Sequence, residues 1–470
     1  MTSVTATGTR TGVGACALAA FGSVVNPGTG HLAVHARVTR GTFVASLLNL
    51  AATIVAIVVF ASVRNQSDLV SIIANRTVLL GLGVALATMA FTRLYTAIDS
   101  AWLARPIRDR KLRLAAVVAV GVVAIAGVAP LAIAASYTWE ADQTIEKVFG
   151  SDDATTATPT PLTTLPATGS TVDVTTTTEA LFDGATRVNV LLLGGDAGPG
   201  RPGLRTDSMI VVSIDSETGE GVVISVPRNM EDIPFPDGTA LRDRFPDGFD
   251  GLANAIYTYG DNHRDMLGGV DDAGAQAIKL GISQLLGIPI NYYVLVDMAG
   301  FVDIVDAVDG IDIDVPKRMP TPGNPRGSKH PVPEYIEKGQ QHMDGTLALA
   351  YARTREADDD YHRMARQQCL VSALAKAATP KAIALGFTEL MAAFGDAIKT
   401  DIPRAKLDDF AQLITRFKDA GGMSAVHRLH LGKPLVDPYR WKADEIRSLV
   451  EGAFQPIILN GDIPLLEETC

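Results

Sequence analysis

The sequence predicts an α/β domain with a central mixed sheet flanked by helices, preceded by three transmembrane helices. Three observations point there: long runs almost free of charge between residues 43 and 137, a Thr- and Pro-rich stretch behind them, and then short apolar runs alternating with helical patterns as far as about residue 457. The chain has 470 residues, 47% hydrophobic and 20% charged, with a formal net charge of −11. That length accommodates a membrane region and one or two globular domains. A uniformly acidic chain is a poor nucleic-acid binder, because a phosphate backbone needs clustered Lys and Arg. Any anion bound here must be held by a local group of arginines.

Residues 43–63 form an apolar run long enough to cross a hydrocarbon layer of about 30 Å as a helix. A second run covers 78–103, with Arg93 and Asp99 interrupting its far end, and a third covers 114–137. The first starts too far into the chain, and is followed by too many others, to be a cleaved signal peptide. Basic residues set the expected orientation. Arg10, Arg37 and Arg40 precede the first span, and Arg105, Arg108, Arg110, Lys111 and Arg113 lie between the second and third. The segment after the third opens with Glu140, Asp142 and Glu146. Residues 1–42 are therefore expected to be cytoplasmic, with everything after the membrane region at 43–137 outside. Residues 138–182, rich in Thr and Pro, cannot bury a core and read as a tether. A catalytic domain is expected over 183–457, and a tail over 458–470. Of three cysteines, Cys369 and Cys470 fall outside the membrane, where a disulfide can persist; Cys16 precedes the first span.

Within the domain, 188–193 is a short apolar run ending in Gly194-Gly195-Asp196, as a buried central strand reads. Residues 209–214, 222–226 and 292–296 are further strands, and the alternation Ile-Asp-Ile-Asp-Val at 311–315 is that of a half-exposed strand. Helical patterns cover 273–286, 300–308, 347–352, 363–378, 383–397, 407–417 and 443–454.

Three clusters carry chemistry. Asp196 ends one strand and Asp207 opens the next, and ligands collect at strand ends of α/β sheets. Two carboxylates brought together suit a hard divalent ion such as Mg²⁺ or Mn²⁺ shared with substrate phosphates; the same spacing also serves an Asx turn and a cap. Pro227 stops a strand and leaves Arg228 off its end. Arg353 and Arg355 share a face if extended, and Arg363, Arg366 and Gln367 share a helix face just after Asp358-Asp359-Asp360. Arginine forks match phosphate oxygens, so this is either an anion clamp or a surface helix salt-bridged to its own acids. No Gly-rich phosphate loop and no Ser/His/Asp or Cys/His arrangement is legible.

The order of VNVLLLGGDAG, RTDSMIVVSID, GVVISVPRNM, LANAIYTYG, YYVLVDMAGFVDIVDAVDGIDIDVP, GQQHMDGTLALAYARTR and DYHRMARQQ resembles the LytR-CpsA-Psr family of wall glycopolymer ligases. The resemblance implies an apolar groove for a polyprenyl tail, and transfer of a glycopolymer phosphate from a polyprenyl-pyrophosphate carrier to a peptidoglycan hydroxyl. It implies metal binding by Asp196 and Asp207. It implies pyrophosphate binding by Arg205, Arg228, Arg353, Arg355, Arg363 and Arg366, with Gln367 and Asp360 beside them, and catalytic roles for Asp196, Asp207, Arg228 and Arg363. The membrane region and the tether look like those of actinobacterial members, which points to arabinogalactan or a similar polymer. His362 departs from the Gly of many members, and residues 379–470 match only loosely. A pyrophosphatase using water, and a non-catalytic membrane regulator that binds lipid-linked intermediates, are the rival expectations.

Overall fold

The computed structural model describes residues 40–62, 72, 75–102, 109–149, 181–196, 203–323, 331–354, 360–378, 398–422 and 425–455. It divides into two units, one to Gln143 and one from Thr144. The tether expected over 138–182 falls mostly outside the described residues, as does the helix expected at 383–397.

The first unit holds helices α1 (Arg40–Ser62), α2 (Arg76–Trp102) and the start of α3 (Arg110–Phe149). Each is long and apolar enough to cross a membrane. The second continues through the charges expected to interrupt it, because the helices supply partners. Thr42 Oγ1 on α1 donates to Asp99 Oδ2 (2.9 Å), and Arg93 on α2 donates to the Gly127 carbonyl of α3 (3.4 Å). Thr92 Oγ1 donates to Asn49 Oδ1 at 3.3 Å, with both residues buried. An ionisable group inside a bilayer persists when it faces a neighbouring helix and is paired there. The third helix runs 12 residues past the expected end at Tyr137.

The second unit is built on a six-stranded mixed sheet. Its strands are β1 (Arg187–Asp196), β2 (Arg205–Asp215), β3 (Gly221–Ser225), β4 (Tyr292–Asp297), β9 (Ile398–Thr400) and β10 (His427–His430). They lie in the order β10-β3-β2-β1-β4-β9. β1, β2 and β3 form an antiparallel meander, while β4 and β10 lie parallel to β1 and β3. The parallel pairing of β4 requires a crossover. Helices α4 (Ala240–Arg244), α5 (Ile256–Asn262) and α6 (Ala273–Leu286) lie along that crossover. Ile278, Ile282 and Leu285 of α6 meet Leu191, Leu193 and Ile224 of the sheet in the main core. Asp272 caps α6 through Ala275 N–H (2.9 Å) and also accepts from the Tyr257 and Tyr293 hydroxyls (2.9 and 3.2 Å).

A second core lies under helices α7 (Met298–Ala307), α8 (Gly345–Arg353) and α9 (Asp360–Ala377) and the hairpin of β5 (Ile311–Val315) with β8 (Gly339–Met343). Short strands β6 (Met319–Pro320) and β7 (Tyr335–Ile336) pair beside it. Ile311, Ile313 and Val315 face inward, as their alternation predicts, against Tyr351 of α8 and Leu370 of α9. Gly345 starts α8 against the backbone of α7: a Cβ there would come within 2.2 Å of the Val302 carbonyl. Its N–H donates to Asp306 Oδ1 at 2.7 Å, and Asp344 caps the helix through Leu347 N–H. Cys369 is buried on α9 and disulfide-bonded; Cys16 and Cys470 lie outside the described residues. Helices α10 (Leu407–Asp419) and α11 (Ala443–Ala453) complete the unit.

His430 ends β10, 5% exposed. Burial, and then the charge of Arg428, push its imidazole down to about 4. The unfolded chain takes up that proton near the ordinary value of 6.5, so the stabilising contribution is complete above that pH and disappears as pH falls toward 4. The loss is on the order of 3 kcal/mol. Chemical denaturation at stepped pH should give a shallower decline between 6.5 and 4 for His430→Asn than for the parent; equal slopes would remove His430 as the cause.

Candidate active site

The topology gathers six strand ends at one edge. β1, β3, β4 and β10 all finish there, and β2 and β9, antiparallel to β1 and β4, begin there. In an α/β sheet this carboxyl edge is where ligands bind.

The ladder between β1 and β2 breaks at this edge. Gly194 pairs with Ser208 and Gly195 with Thr206, so Asp207 is an extra residue in β2, in a β-bulge. A bulge re-aims a side chain that regular alternation would send elsewhere. Glycine suits Gly194 because a Cβ there would lie 3.0 Å from that of Ser208. Asp196, 7% exposed, ends β1 opposite Arg205, and Arg205 is exposed.

Beyond β3 the chain keeps its register for one more residue, with Val226 N–H donating to the Met209 carbonyl. Pro227 carries no N–H and ends the strand. Arg228 then comes level with Asp207, and its guanidinium donates to Asp207 Oδ1 at 2.9 Å. Asn254 Nδ2 donates to the same oxygen at 3.3 Å, while the Asn254 backbone N–H holds the Arg228 carbonyl at 3.0 Å. Burial acts to raise the Asp207 carboxyl. The Arg228 charge and hydrogen bond, the Asn254 hydrogen bond and the Arg363 charge act against it, and hold the group below the ordinary carboxylate range. Asp207 is therefore an anion at neutral pH.

Helix α9 is pinned over the end of β3 by Gln368, whose Nε2 donates to Ser225 Oγ at 2.7 Å, with both residues buried. Arg363, one and a half turns earlier and 3% exposed, acts electrostatically on Asp207. The structure thus brings Arg228 and Arg363 to Asp207, on one edge with Asp196.

Arg366 has a different setting from the one expected. It is 2% exposed, and its guanidinium donates to the carbonyls of Tyr351 (3.2 Å) and Thr354 (2.7 Å) while lying 5.8 Å from the Tyr351 ring. It closes the carboxyl end of α8, where backbone oxygens lack helical partners and the helix dipole favours a cation. Arg353 is the last residue of α8 rather than part of an extended face, and is half-buried like Gln367. Arg355 lies outside the described residues; Asp360 opens α9, with its side chain outside them. Asn254 and Gln368 carry no expected role, although both stand within the recognised motifs.

Among the described residues no group of three or more His, Cys, Asp or Glu gathers as a metal cluster. Among the described residues there is a cleft of about 270 Å³ walled by Pro234, Pro246, Tyr439 and Trp441, and a smaller hollow of about 100 Å³ near Gly219 and Phe454. Neither is the apolar groove expected for a polyprenyl tail; segments 355–359 and 379–397, which follow α8 and α9, lie outside the described residues.

Residues 162–430, more than half of the chain, match the model of the LytR_cpsA_psr family, and the chain belongs to that family. It is 29% identical over 224 residues to the polyisoprenyl-teichoic acid–peptidoglycan teichoic acid transferase TagU of Bacillus cereus (strain AH820). That match takes in 47% of this chain and 63% of the relative, under two thirds of its length. It is 33% identical over 172 residues to the corresponding transferase TagV of Bacillus subtilis (strain 168), covering 36% of this chain and 38% of that one. Among solved structures, B. subtilis TagV aligns with a TM-score of 0.42 at 24% identity, over 57% of this chain and 96% of that one. A structure described as TagT bound to LI-WTA aligns at 0.39 and 22%, over 57% of this chain and 90% of that one.

Arg228→Ala and Asn254→Ala should each raise the titration midpoint of the Asp207 carboxyl, Arg228→Ala by more, as read from its carboxyl ¹³C shift. A midpoint unchanged in both variants would contradict this account of the charge.

Proposed function

We propose that the protein transfers a glycopolymer phosphate from a polyprenyl-pyrophosphate carrier to a hydroxyl of peptidoglycan. The observation that carries this is Asp207, held ionised between Arg228, Asn254 and Arg363 at the carboxyl edge of the sheet. An ionised carboxylate among arginines beside a second carboxylate, Asp196, is equipment for stabilising phosphoryl charge during displacement. The names of the TagU and TagV relatives describe transfer from a polyisoprenyl carrier to peptidoglycan.

A magnesium or manganese ion fits the donor set. Both carboxylates stand at one sheet edge, and both hydrogen bonds to Asp207 fall on Oδ1, which leaves Oδ2 on offer. Such an ion takes one or two protein carboxylates and shares substrate phosphate oxygens. When bound by Asp196 and Asp207 it would supply charge neutralisation on the pyrophosphate. The acceptor hydroxyl oxygen forms a bond to the sugar-linked phosphorus, the bond from that phosphorus to the bridging oxygen breaks, and polyprenyl phosphate leaves. Arg228 and Arg363 balance the charge that builds on the departing phosphate. Arg205, at the start of β2, is assigned to the same headgroup. Arg353 and Arg355 precede α9, and with Gln367 they are assigned to the outer phosphate oxygens, with Asp360 beside them as a counter-charge to the arginines. The low Asp207 pKa makes it a ligand rather than a base. The acceptor proton passes to Asp196 or directly to water. Arg366 acts through α8, by keeping its end and the following arginines in place.

The proposed topology has a cytoplasmic N-terminus and the site outside the membrane, following the basic residues that flank α1, α2 and α3. The donor polymer is first tested as arabinogalactan, with teichoic acid as the comparison. Purified protein, metal, lipid-linked glycan and peptidoglycan fragments should yield glycan-bearing peptidoglycan and polyprenyl phosphate. Asp207→Asn and Arg363→Ala should each lower the rate by about 100-fold or more. Free phosphorylated glycan produced equally with and without peptidoglycan would instead identify a pyrophosphatase. Tight lipid binding without metal-dependent turnover would identify a regulator.

A further inference from the structure

The cleft walled by Pro234, Pro246, Tyr439 and Trp441 lies outside the charged edge, yet is wired to it through one short segment. Arg228 binds Asp207, and the next residue, Asn229, donates from Nδ2 to the Tyr439 hydroxyl at 2.9 Å. Two residues on, the Glu231 carbonyl accepts from the Trp441 indole N–H at 2.8 Å, and the Glu231 N–H donates to the Pro438 carbonyl at 3.1 Å. Asp232 then enters the cleft wall. Asp232 is the fourth residue after Arg228, so their Cα atoms lie within about 14 Å.

The cleft is held in shape. The Trp441 ring is tied by its indole N–H and the half-exposed Tyr439 ring by its hydroxyl, and Asp437 Oδ1 accepts from the Tyr439 N–H at 3.1 Å in the turn that presents the ring. Asp232 adopts a positive φ of 54°, uncommon for a residue with a side chain. Its carbonyl would lie 2.3 Å from any Cβ on Gly248, so only glycine permits the chain to close there. Strained backbone of this kind gathers at functional sites, where the surroundings over-determine it.

The lining selects the ligand. Asp232, Asp247, Arg242 and Arg440 all line the cleft, and Arg242 Nε is already paired with Asp237 at 3.2 Å. Three carboxylates against two guanidiniums leave the surface no bias toward an anion. Four charged groups also make it unsuited to a purely apolar tail. What matches is a molecule with one apolar face and a rim of hydroxyls that both donate and accept. Aromatic rings cover the apolar face, while carboxylates accept and guanidiniums donate around it. The Tyr439 hydroxyl, already accepting from Asn229, keeps its own proton to give.

We infer that this cleft is a saccharide-binding subsite which seats a sugar of one of the two glycans beside the reacting phosphate. The inference rests on the transfer reading above. The shared chemistry is a pyranose or furanose unit; its source is either the peptidoglycan acceptor or the donor glycopolymer. A cleft whose wall starts at Asp232, within about 14 Å of Arg228, would orient the glycan for displacement without itself touching the phosphorus.

The test reads binding without turnover, so it stands apart from the transfer assay. The chain has three tryptophans, Trp102, Trp139 and Trp441. In detergent-solubilised full-length protein carrying Trp102→Phe and Trp139→Phe, with no metal and no lipid-linked glycan, the emission reports Trp441. A tetrasaccharide of alternating N-acetylglucosamine and N-acetylmuramic acid should change it saturably if the acceptor is the occupant. Lipid-free arabinogalactan or teichoic acid fragments should do so if the donor is. Tyr439→Ala and Arg242→Ala, both partly exposed, should weaken whichever titration is seen by about tenfold or more, with unfolding midpoints matching the parent as the folding control. A flat response to every glycan, or titrations unchanged in both variants, would overturn the subsite.

Discussion

The hydrogen bond from Arg228 to Asp207 is the contact on which the site depends. Asp207 is half-buried at the rim of a sheet, where loss of water would by itself favour the protonated acid. A neutral acid there could neither hold a cation nor face two guanidiniums as a counter-charge. Arg228 reverses that balance, and it reaches Asp207 only because of two local breaks in regular structure. The bulge in β2 removes Asp207 from the ladder, and Pro227 releases the chain from β3 one residue before Arg228. Asn254 locks both partners, one through its side chain and the other through its backbone. Arg363 adds its charge from α9, a helix whose position over β3 is set by Gln368.

Much of this was legible in the sequence because it obeys simple periodicities. The apolar run of β1, the alternation of β5 and the spacing of α6 each name their own neighbours. What stayed hidden lacks such a period. β10 reads His-Arg-Leu-His, and β8 reads Gly-Gln-Gln-His-Met, so neither shows an apolar face. The spacing of Arg363 and Arg366 predicts the helix they share, but it cannot say what each side chain meets. One reaches the carboxylate edge and the other turns back onto the carbonyls of α8. Asn254 and Gln368 could have been singled out. An amide inside a motif that is otherwise mostly apolar or small must find a partner when buried, and each does so at the site.

The membrane unit teaches the same lesson. Arg93 and Asp99 look like interruptions when α2 is read alone, since a charge facing lipid is costly. Seen with α1 and α3, each meets a polar group on a neighbouring helix. A linear reading registers their cost but not their pairing.

The contact at Gly345 makes the site vulnerable from a distance. Helix α8 is nine residues long, about 13 Å from end to end. Its first residue is pressed onto the backbone of α7, and its last turn receives Arg366. A single methyl group at position 345 would pry the two helices apart at one end and swing the other like a lever. The guanidinium of Arg366 would lose its seat at the end of α8. Such a change would disturb this packing while leaving every charge in place.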